Sequence, residues 1–398
     1  MIKIAIVAPY PAAAVLPAEC IKPRQLQASR QQHPAPWVHA LCRELSARGD
    51  IELRLFAHSR VISRVQRVER EGIRFTFIPK YEPGRVDPYL LHLPALLQIL
   101  PLIKRFNPDV VHGFGTESAY GLLAVSQPQP AVVFIQGIQE LLAPLYDMPR
   151  FKIALRRRLE RHVVRRADAL IAETGFAERW AYSVNPAARI RVIPHAFSGE
   201  FFNANPMFQN RRAICIGALS RVKGCDTVLQ AFASVAQQQH GLSSETELHF
   251  IGSGPLEQEL QTQARKLGLG KQVIFRGRIP HGQLISELEQ ANLLLIGSRM
   301  DTSPNVITEA HAAGIPVVGT RAGGIPDMIA EGQDGYLVDV DDVAAMAFHL
   351  NQLLEDSELC RRLGQAGRDK VRALNDPARI AAEHVALYHE VLGSSAGD

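Results

Sequence analysis

Short runs rich in Val, Ile and Leu alternate with longer stretches of helical periodicity, and the alternation occurs twice along the chain. In the first series the spacing predicts strands at Ile2–Ala8, Ile51–Ala57, Ile73–Pro79, Asp109–His112, Val132–Gln136, Ala169–Ala172 and Arg191–Pro194. Between them it predicts helices at Trp37–Arg48, with Gly49 as the stop, at Tyr89–Phe106 and at Arg150–Arg166. The second series restarts at Ala213–Gly217 and continues through Glu247–Ile251, Val273–Arg276, Leu293–Ile296, Pro316–Gly319 and Tyr336–Val338. Near-continuous apolar strands that alternate with helices belong to parallel sheets covered on both faces. Two such series predict an α/β protein of two doubly wound domains, 1–197 and 198–398, facing each other across a cleft. The polar stretch Ala196–Arg211 is the expected joint, and the last helix, about 378–393, is a candidate to return to the N-terminal domain. Ligands on such sheets sit outside the carboxyl ends of the strands, so the site is expected in that cleft.

Composition narrows the class. With 398 residues, 46% of them hydrophobic and 21% charged, the chain is long enough to close large cores without disulfides or metals. A net charge of +4 is too mild for a general nucleic-acid binder. Five cysteines, Cys20, Cys42, Cys215, Cys225 and Cys360, include no C-x-x-C pair, so small buried thiols in a reducing, cytoplasmic compartment are expected. The apolar run Ile4–Ala8 is shorter than the ~7–15 residues of a secretory signal core, and no apolar stretch approaches the ~20 residues of a membrane span.

Four stretches carry chemistry. In Ser298–Gly314, SRMDTSPNVITEAHAAG, Ser303 reads as the N-cap and Pro304 as the first helical residue. The amides of Asn305 and Val306 would then head a helix whose dipole favours an anion, with Asp301 and Glu309 beside it as acceptors for hydroxyls. A capped helix with a solvated Glu is the bland reading. In Ile216–Asp226, IGALSRVKGCD, Gly217 ends a strand and Arg221 and Lys223 follow on the loop, as cations for a diphosphate or as a solvated surface pair. Ile251–Pro255, IGSGP, is a strand–glycine–helix turn lacking the third glycine of a dinucleotide fingerprint. Ala322–Asp327, AGGIPD, places two glycines where backbone could approach a ligand closely.

In this order, the four stretches resemble the donor-binding half of retaining glycosyltransferases of family 4 (glycosyl transferase group 1), which have the GT-B fold of two Rossmann-like domains. The likeness runs through Ala213–Leu392, including LLEDSELCRRLGQAGRDKV and EHVALYHEVL. It is weaker in the N-terminal half, through KIAIVAPYP, NPDVVHGFG, ADALIAET and RIRVIPHAF. The resemblance implies that Glu309 holds ribose hydroxyls, Asp301 contacts sugar hydroxyls, Lys223 binds the donor diphosphate, and Asn305 and Val306 meet phosphate. It also implies that the Val273–Gly277 strand end, through Gly277, borders the base. The implied partners are a nucleotide-diphosphate sugar and a hydroxyl of a glycan or lipid-linked acceptor. No metal or other cofactor is expected, because cations and a helix dipole supply the charge.

The sequence departs from the family pattern in four places. Asp301 replaces a glutamate and is about 1.5 Å shorter. Ala218 stands where the family has an arginine, and Arg221, three residues on, is the candidate to supply the charge. No glycine occurs between Met1 and Gly49, and the loop Pro9–His33 is long enough to suggest an acceptor-binding or lid role. Gln136-Gly137 replaces a His-Gly pair. On the acceptor side His112, Glu117 and Gln136 remain candidates, with a core histidine the favoured reading of His112.

Arg150–Arg166, RFKIALRRRLERHVVRR, carries a net +7, leaving the rest of the chain at −3. Phe151, Leu155, Leu159 and Val163 gather on one side and Arg150, Arg157, Arg158, Arg161 and Arg165 opposite. Such a face suits anionic lipid headgroups on the cytoplasmic face of a membrane, a charged acceptor, or plain solvation. It lacks the interleaved aromatics expected for nucleic acid. Alternatives to a glycosyltransferase of cell-surface polysaccharide or glycolipid synthesis are an epimerase or phosphorylase on the same fold, or a degenerate binding scaffold.

Overall fold

A computed structural model describes residues 1–22, 36–80, 93–146, 148–197, 199–237 and 246–395. The chain divides into two units, Met1–Ser198 with Asn375–Asp398, and Gly199–Leu374.

The first unit is built on an eight-stranded sheet. Its strands are β1 (Ile2–Val7), β2 (Ile51–Ser59), β3 (Gln66–Arg70), β4 (Ile73–Pro79), β5 (Val110–Phe114), β6 (Ala131–Ile135), β7 (Ala169–Ala172) and β8 (Ile190–Val192). The spatial order is β3-β4-β2-β1-β5-β6-β7-β8. Only β3 runs antiparallel, paired with β4 from Gln66↔Phe77 to Arg70↔Ile73. This strand was not expected. Its sequence, QRVER, lies half-exposed at the sheet edge, so it has no apolar run to announce it. A polar edge also discourages pairing with other chains.

Both faces of this sheet are buried. On one, Ile4, Ile6, Leu53, Leu55, Phe75 and Phe77 meet helix Pro36–Ser46 and the last helix, Pro377–Ser395. On the other, Ala5, Val7, Phe56, Val111 and Val133 meet Ile99 and Ile103 of helix Leu93–Phe106, Val163 of Arg150–Arg166 and Ala177 of Gly175–Val184. Burial of each large aliphatic side chain contributes roughly 1.5–3 kcal/mol. The last helix supplies Ile380, Ala381, Val385, Leu387, Tyr388 and Val391 to the first unit's core.

Several boundaries differ from expectation. Helix Pro36–Ser46 ends before Arg48, and Gly49 is not among the left-handed residues, so it is not the helix stop. Helix Leu93–Phe106 runs through Pro101, and the expected start at Tyr89 lies outside the described residues. Of the long loop after β1, residues 23–35 also lie outside them. Its first part is packed, with Ala12, Val15, Leu16 and Ile21 all buried in the core. Cys42, Cys215, Cys225 and Cys360 are buried free thiols, and Cys20 is partly buried.

The second unit holds a six-stranded, wholly parallel sheet. Its strands are β9 (Arg212–Ile216), β10 (Glu247–Ile251), β11 (Val273–Gly277), β12 (Leu293–Ile296), β13 (Val317–Thr320) and β14 (Gly335–Val338), in the order β11-β10-β9-β12-β13-β14. Chain order reverses between β9 and β12, and loops at the carboxyl ends of such neighbours form the binding crevice of a doubly wound sheet.

Candidate functional site

The loops after β9 and β12 meet at that switch point. After β9 the backbone turns at Gly217 (φ +140°), passes through a 3-10 turn at Arg221–Lys223 and enters helix Cys225–Ala236 through left-handed Gly224. A Cβ on Gly224 would lie 1.8 Å from the Gly297 carbonyl oxygen, so this position demands glycine on both φ and space. After β12, residues Gly297–Pro304 lead to helix Asn305–Ala313. Arg299 joins the two loops. Its backbone amide donates to the Val222 carbonyl at 2.8 Å, and its guanidinium grips the Asp226 carboxylate with two bonds of 2.9 Å. The Asp226 carboxylate first, and Asp341 after it, hold the Arg299 pKa above its ordinary value. The sequence reading missed Arg299, because its partners are 73 and 42 residues away.

A small recess lies between these loops, lined in part by Gly217, Ala218, Lys223, Asp301, Pro304 and Val306. Helix Asn305–Ala313 has Pro304 as its N-cap, in extended conformation, with no side-chain cap; Ser303 Oγ instead faces Met328 Sδ at 3.6 Å. The helix therefore starts one residue later than expected, and Asn305 and Val306 form its first turn. Amides of a first turn have no carbonyl four residues back, and the dipole is positive there. Lys223 Nζ donates to Asp301 Oδ2. Two residues singled out for different parts of the ligand are thus partners of each other.

Glu309 lies on the same helix, its side chain 4% exposed, with Oε1 3.0 Å from His281 Nε2. His281 opens helix His281–Glu289, just beyond β11, and its ring stands edge-on to Phe201. Nothing in the residues around it marks it out beyond its place after a strand end. Gly277 closes β11 at φ +65°, and its carbonyl accepts from the Gly252 amide at 2.8 Å; it does not line the recess. Arg221 does not line it either. Its side chain is 74% exposed and 3.7 Å from Glu259. In AGGIPD the close backbone approach is to protein. Gly323 is left-handed, a Cβ there would lie 1.9 Å from the Asp301 carbonyl oxygen, and the Gly324 amide donates to that same oxygen at 2.9 Å.

In the first unit the acceptor-side candidates separate. His112 is fully buried in β5, its Nδ1 2.7 Å from Tyr388 Oη of the last helix, and its ring stacks on Phe114. Burial, with the charge of His384 adding to it, lowers the His112 pKa well below the usual imidazole value. It is a core histidine. Glu117 follows β5 and Gln136-Gly137 follows β6, and Glu117 packs beside Gly137. Glu173 follows β7, its side chain 2% exposed and paired with His195 Nε2 at 2.7 Å. His195 stacks between Phe134 and Trp37, at 5.2 and 4.8 Å. Glu160, fully buried on helix Arg150–Arg166, accepts from the Gln139 and Glu140 amides at 3.0 and 2.8 Å. Burial pushes both Glu117 and Glu160 up to about 7, and their mutual proximity adds to the rise at Glu117. The sequence reading included Glu117 and Gln136 but not Glu160, Glu173 or His195.

On helix Arg150–Arg166 the cations divide. Arg157 and Arg161 bind Glu140 at 3.0 and 2.8 Å, while Arg150, Arg158 and Arg165 are exposed. Phe151, expected on the buried side, is 59% exposed, and Leu145 and Tyr146 just before the helix are also exposed. Among the described residues no helix is long and apolar enough to cross a membrane.

Each half matches a family model: Glycosyltransferase Family 4 over residues 36–198 and Glycosyl transferases group 1 over residues 200–370. N-acetyl-alpha-D-glucosaminyl L-malate synthase of Bacillus anthracis is 31% identical over 45% of this chain and 45% of its own length. A sulfoquinovosyl transferase of Arabidopsis thaliana is 26% identical over 71% of this chain and 58% of its own. The matched region thus spans about half the length of these curated relatives. Among solved structures, sucrose-phosphate synthase of Thermosynechococcus elongatus superposes with a TM-score of 0.79 at 18% identity, covering 99% of this chain and 100% of that one. Anabaena HepE in complex with UDP-glucose gives 0.71 at 15% identity, covering 99% and 100%. Likeness at such low identity establishes the fold.

Proposed function

The chain belongs to the glycosyltransferases of family 4, with the GT-B fold, and from that premise we propose that it moves a sugar from a nucleotide-diphosphate donor to a hydroxyl of a glycan or lipid-linked acceptor, with retention at the anomeric carbon. The observation that carries this reading is the convergence of Lys223, Asp301 and the start of helix Asn305–Ala313 on one recess, with Glu309 buried farther along the same helix. Solved neighbours that bind UDP and UDP-glucose favour a nucleotide-sugar donor.

The chemistry follows from the charges. As the glycosidic C–O bond of the donor breaks, negative charge grows on the departing diphosphate. The Lys223 ammonium and the first-turn amides stand where they stabilise that charge. The Lys223–Asp301 pair holds the lysine in place before the donor arrives. On donor entry the phosphate displaces Asp301 from the ammonium and leaves the carboxylate available to sugar hydroxyls. Glu309, oriented by His281, accepts from the ribose hydroxyls. The acceptor hydroxyl attacks from the face the diphosphate leaves, and its proton passes to the leaving phosphate. These groups meet the diphosphate charge without a divalent metal in our reading. Glu309→Ala is expected to lower donor turnover at least tenfold, measured by release of nucleoside diphosphate in the presence of acceptor; near-normal transfer would sink the assignment.

The cationic helix favours an acceptor at a membrane. Arg150, Lys152 and Arg158, beside exposed Leu145, Tyr146 and Phe151, combine charge for anionic headgroups with apolar side chains for the interface. The protein then works on the cytoplasmic face as a peripheral enzyme, in polysaccharide or glycolipid synthesis. Pelleting with phosphatidylglycerol vesicles should fall steeply with salt and with Arg150→Gln/Arg158→Gln. Absence of pelleting at any ionic strength would leave the helix as a solvated surface.

A further inference from the structure

The first unit holds a cavity of about 470 Å³ that plays no part in the reaction described above. Its floor is set by strand register. Lys3 of β1 lies opposite Glu52 of β2, Arg54 opposite Arg74 of β4, and Phe56 opposite Thr76. Arg67 of the antiparallel β3 lies opposite the same Thr76. Helix Leu93–Phe106 covers this face of the sheet but ends at Phe106, and the space between its last turn and the strands is the cavity.

The walls are strongly cationic. Lys3, Arg54, Arg67 and Arg105 line the cavity against one carboxylate, Glu52. That carboxylate is shared, 3.7 Å from Lys3 Nζ and 3.3 Å from Arg74 Nη1. Among the described residues no ion pair joins Arg54, Arg67 or Arg105 to an acidic side chain. Arg54 is half-buried and lies over the Phe106 ring at 4.7 Å, which fixes the guanidinium without neutralising it. Burial is the main cause of a lowered Arg54 pKa, and repulsion from Arg74 and Arg67 adds to it against the pull of Glu52. These like charges, with Arg54 half-buried and Arg67 and Arg105 exposed, share one concave space and outnumber its single counter-charge, Glu52.

We propose that this cavity is a binding site for a phosphate-bearing small molecule, separate from the donor recess of the other unit. Its volume falls in the range of about 300–1,000 Å³ usual for small-molecule sites. The planar donors of Arg54, Arg67 and Arg105 suit phosphate oxygens, and Phe56, Leu102 and Phe106 offer apolar surface to the rest of such a ligand. A multiply charged phosphate fits the cation excess better than a single carboxylate does.

The test is calorimetric titration of the full-length chain with pyrophosphate at low salt, using wild type, Arg54→Gln/Arg67→Gln and Lys223→Ala. Wild type is expected to show a site that the double variant weakens at least tenfold and that Lys223→Ala retains. The unliganded double variant should melt no lower than wild type at low salt, since it loses like-charge repulsion. If it does not fold, Arg105→Gln at the exposed helix end should weaken the same site at least threefold. Identical titrations of wild type and variants, or a single site abolished by Lys223→Ala, would overturn the proposal. Phosphatidylglycerol vesicles form the second arm. Loss of vesicle pelleting by the double variant, with no binding of free pyrophosphate, would also overturn it by assigning the arginines to headgroups.

Discussion

Glu117 and Glu160 show how burial converts an ordinary side chain into a sensitive one. Burial is the main cause of the rise to about 7 at Glu117; backbone N–H groups of Glu117 and Gly137 oppose it, and the charges of Glu160 and Glu173 add to it. A carboxyl whose folded pKa exceeds its unfolded value of 4.5 costs nothing while both states are protonated. It costs stability increasingly as pH rises toward and through about 7, because only the unfolded state ionises freely. Glu117→Gln should therefore stabilise the first unit at pH 8, by roughly 1–3 kcal/mol at about 1.4 kcal/mol per pKa unit, and much less at pH 5. Thermal melts of the two proteins at both pH values read this directly, and an equal shift at pH 5 and pH 8 would refute it. At this scale the sequence was informative where local motif and position coincide. Lys223, Asp301 and Glu309 lie on strand-end loops and a helix start whose identities could be read from neighbours. His281, Arg299, Glu173 and His195 could not, because each is defined by a partner brought near only by the completed sheet.

Elements were legible in proportion to their apolar content. The parallel strands, buried on both faces, announced themselves, whereas edge strand β3, with five half-exposed or exposed residues, did not. Helix starts were legible to within a residue, since Pro304 fixes where the chain turns but not whether Ser303 caps it. Glycine pairs were legible as close approaches, but not in what they approach. Gly323 shows the difference: it packs on the Asp301 backbone, so the loop after β13 sets the position of the loop after β12. Gly323→Ala combines a left-handed φ with a Cβ 1.9 Å from that oxygen, and something must shift. We expect a loss of about 1–3 kcal/mol from the second unit, together with weaker binding of a nucleotide sugar through displaced Asp301. Calorimetry with UDP-glucose measures both; unchanged melting and unchanged affinity would show that the two loops are independent.

For the molecule as a whole, the division of the chain matters more than its length. The first unit takes its core from both ends of the sequence, since Ile380, Ala381, Val385, Leu387, Tyr388 and Val391 pack with residues that precede Ser198. At roughly 1.5–3 kcal/mol for each large side chain, their loss approaches or exceeds the whole stability of a typical domain, about 5–15 kcal/mol. Truncation after Asp376 should abolish the first unit's calorimetric transition and spare the second's; two intact transitions would contradict this. The returning helix also imposes a timetable on the nascent chain. The strands and early helices of the first unit are made before the second unit yet must wait, with part of one sheet face uncovered, until residues 377–395 follow. The second unit, contiguous from Gly199 to Leu374, has all of its own residues well before then. The order of synthesis and the order of completion are therefore opposite, and the interval between them is when the partly covered sheet most needs a chaperone.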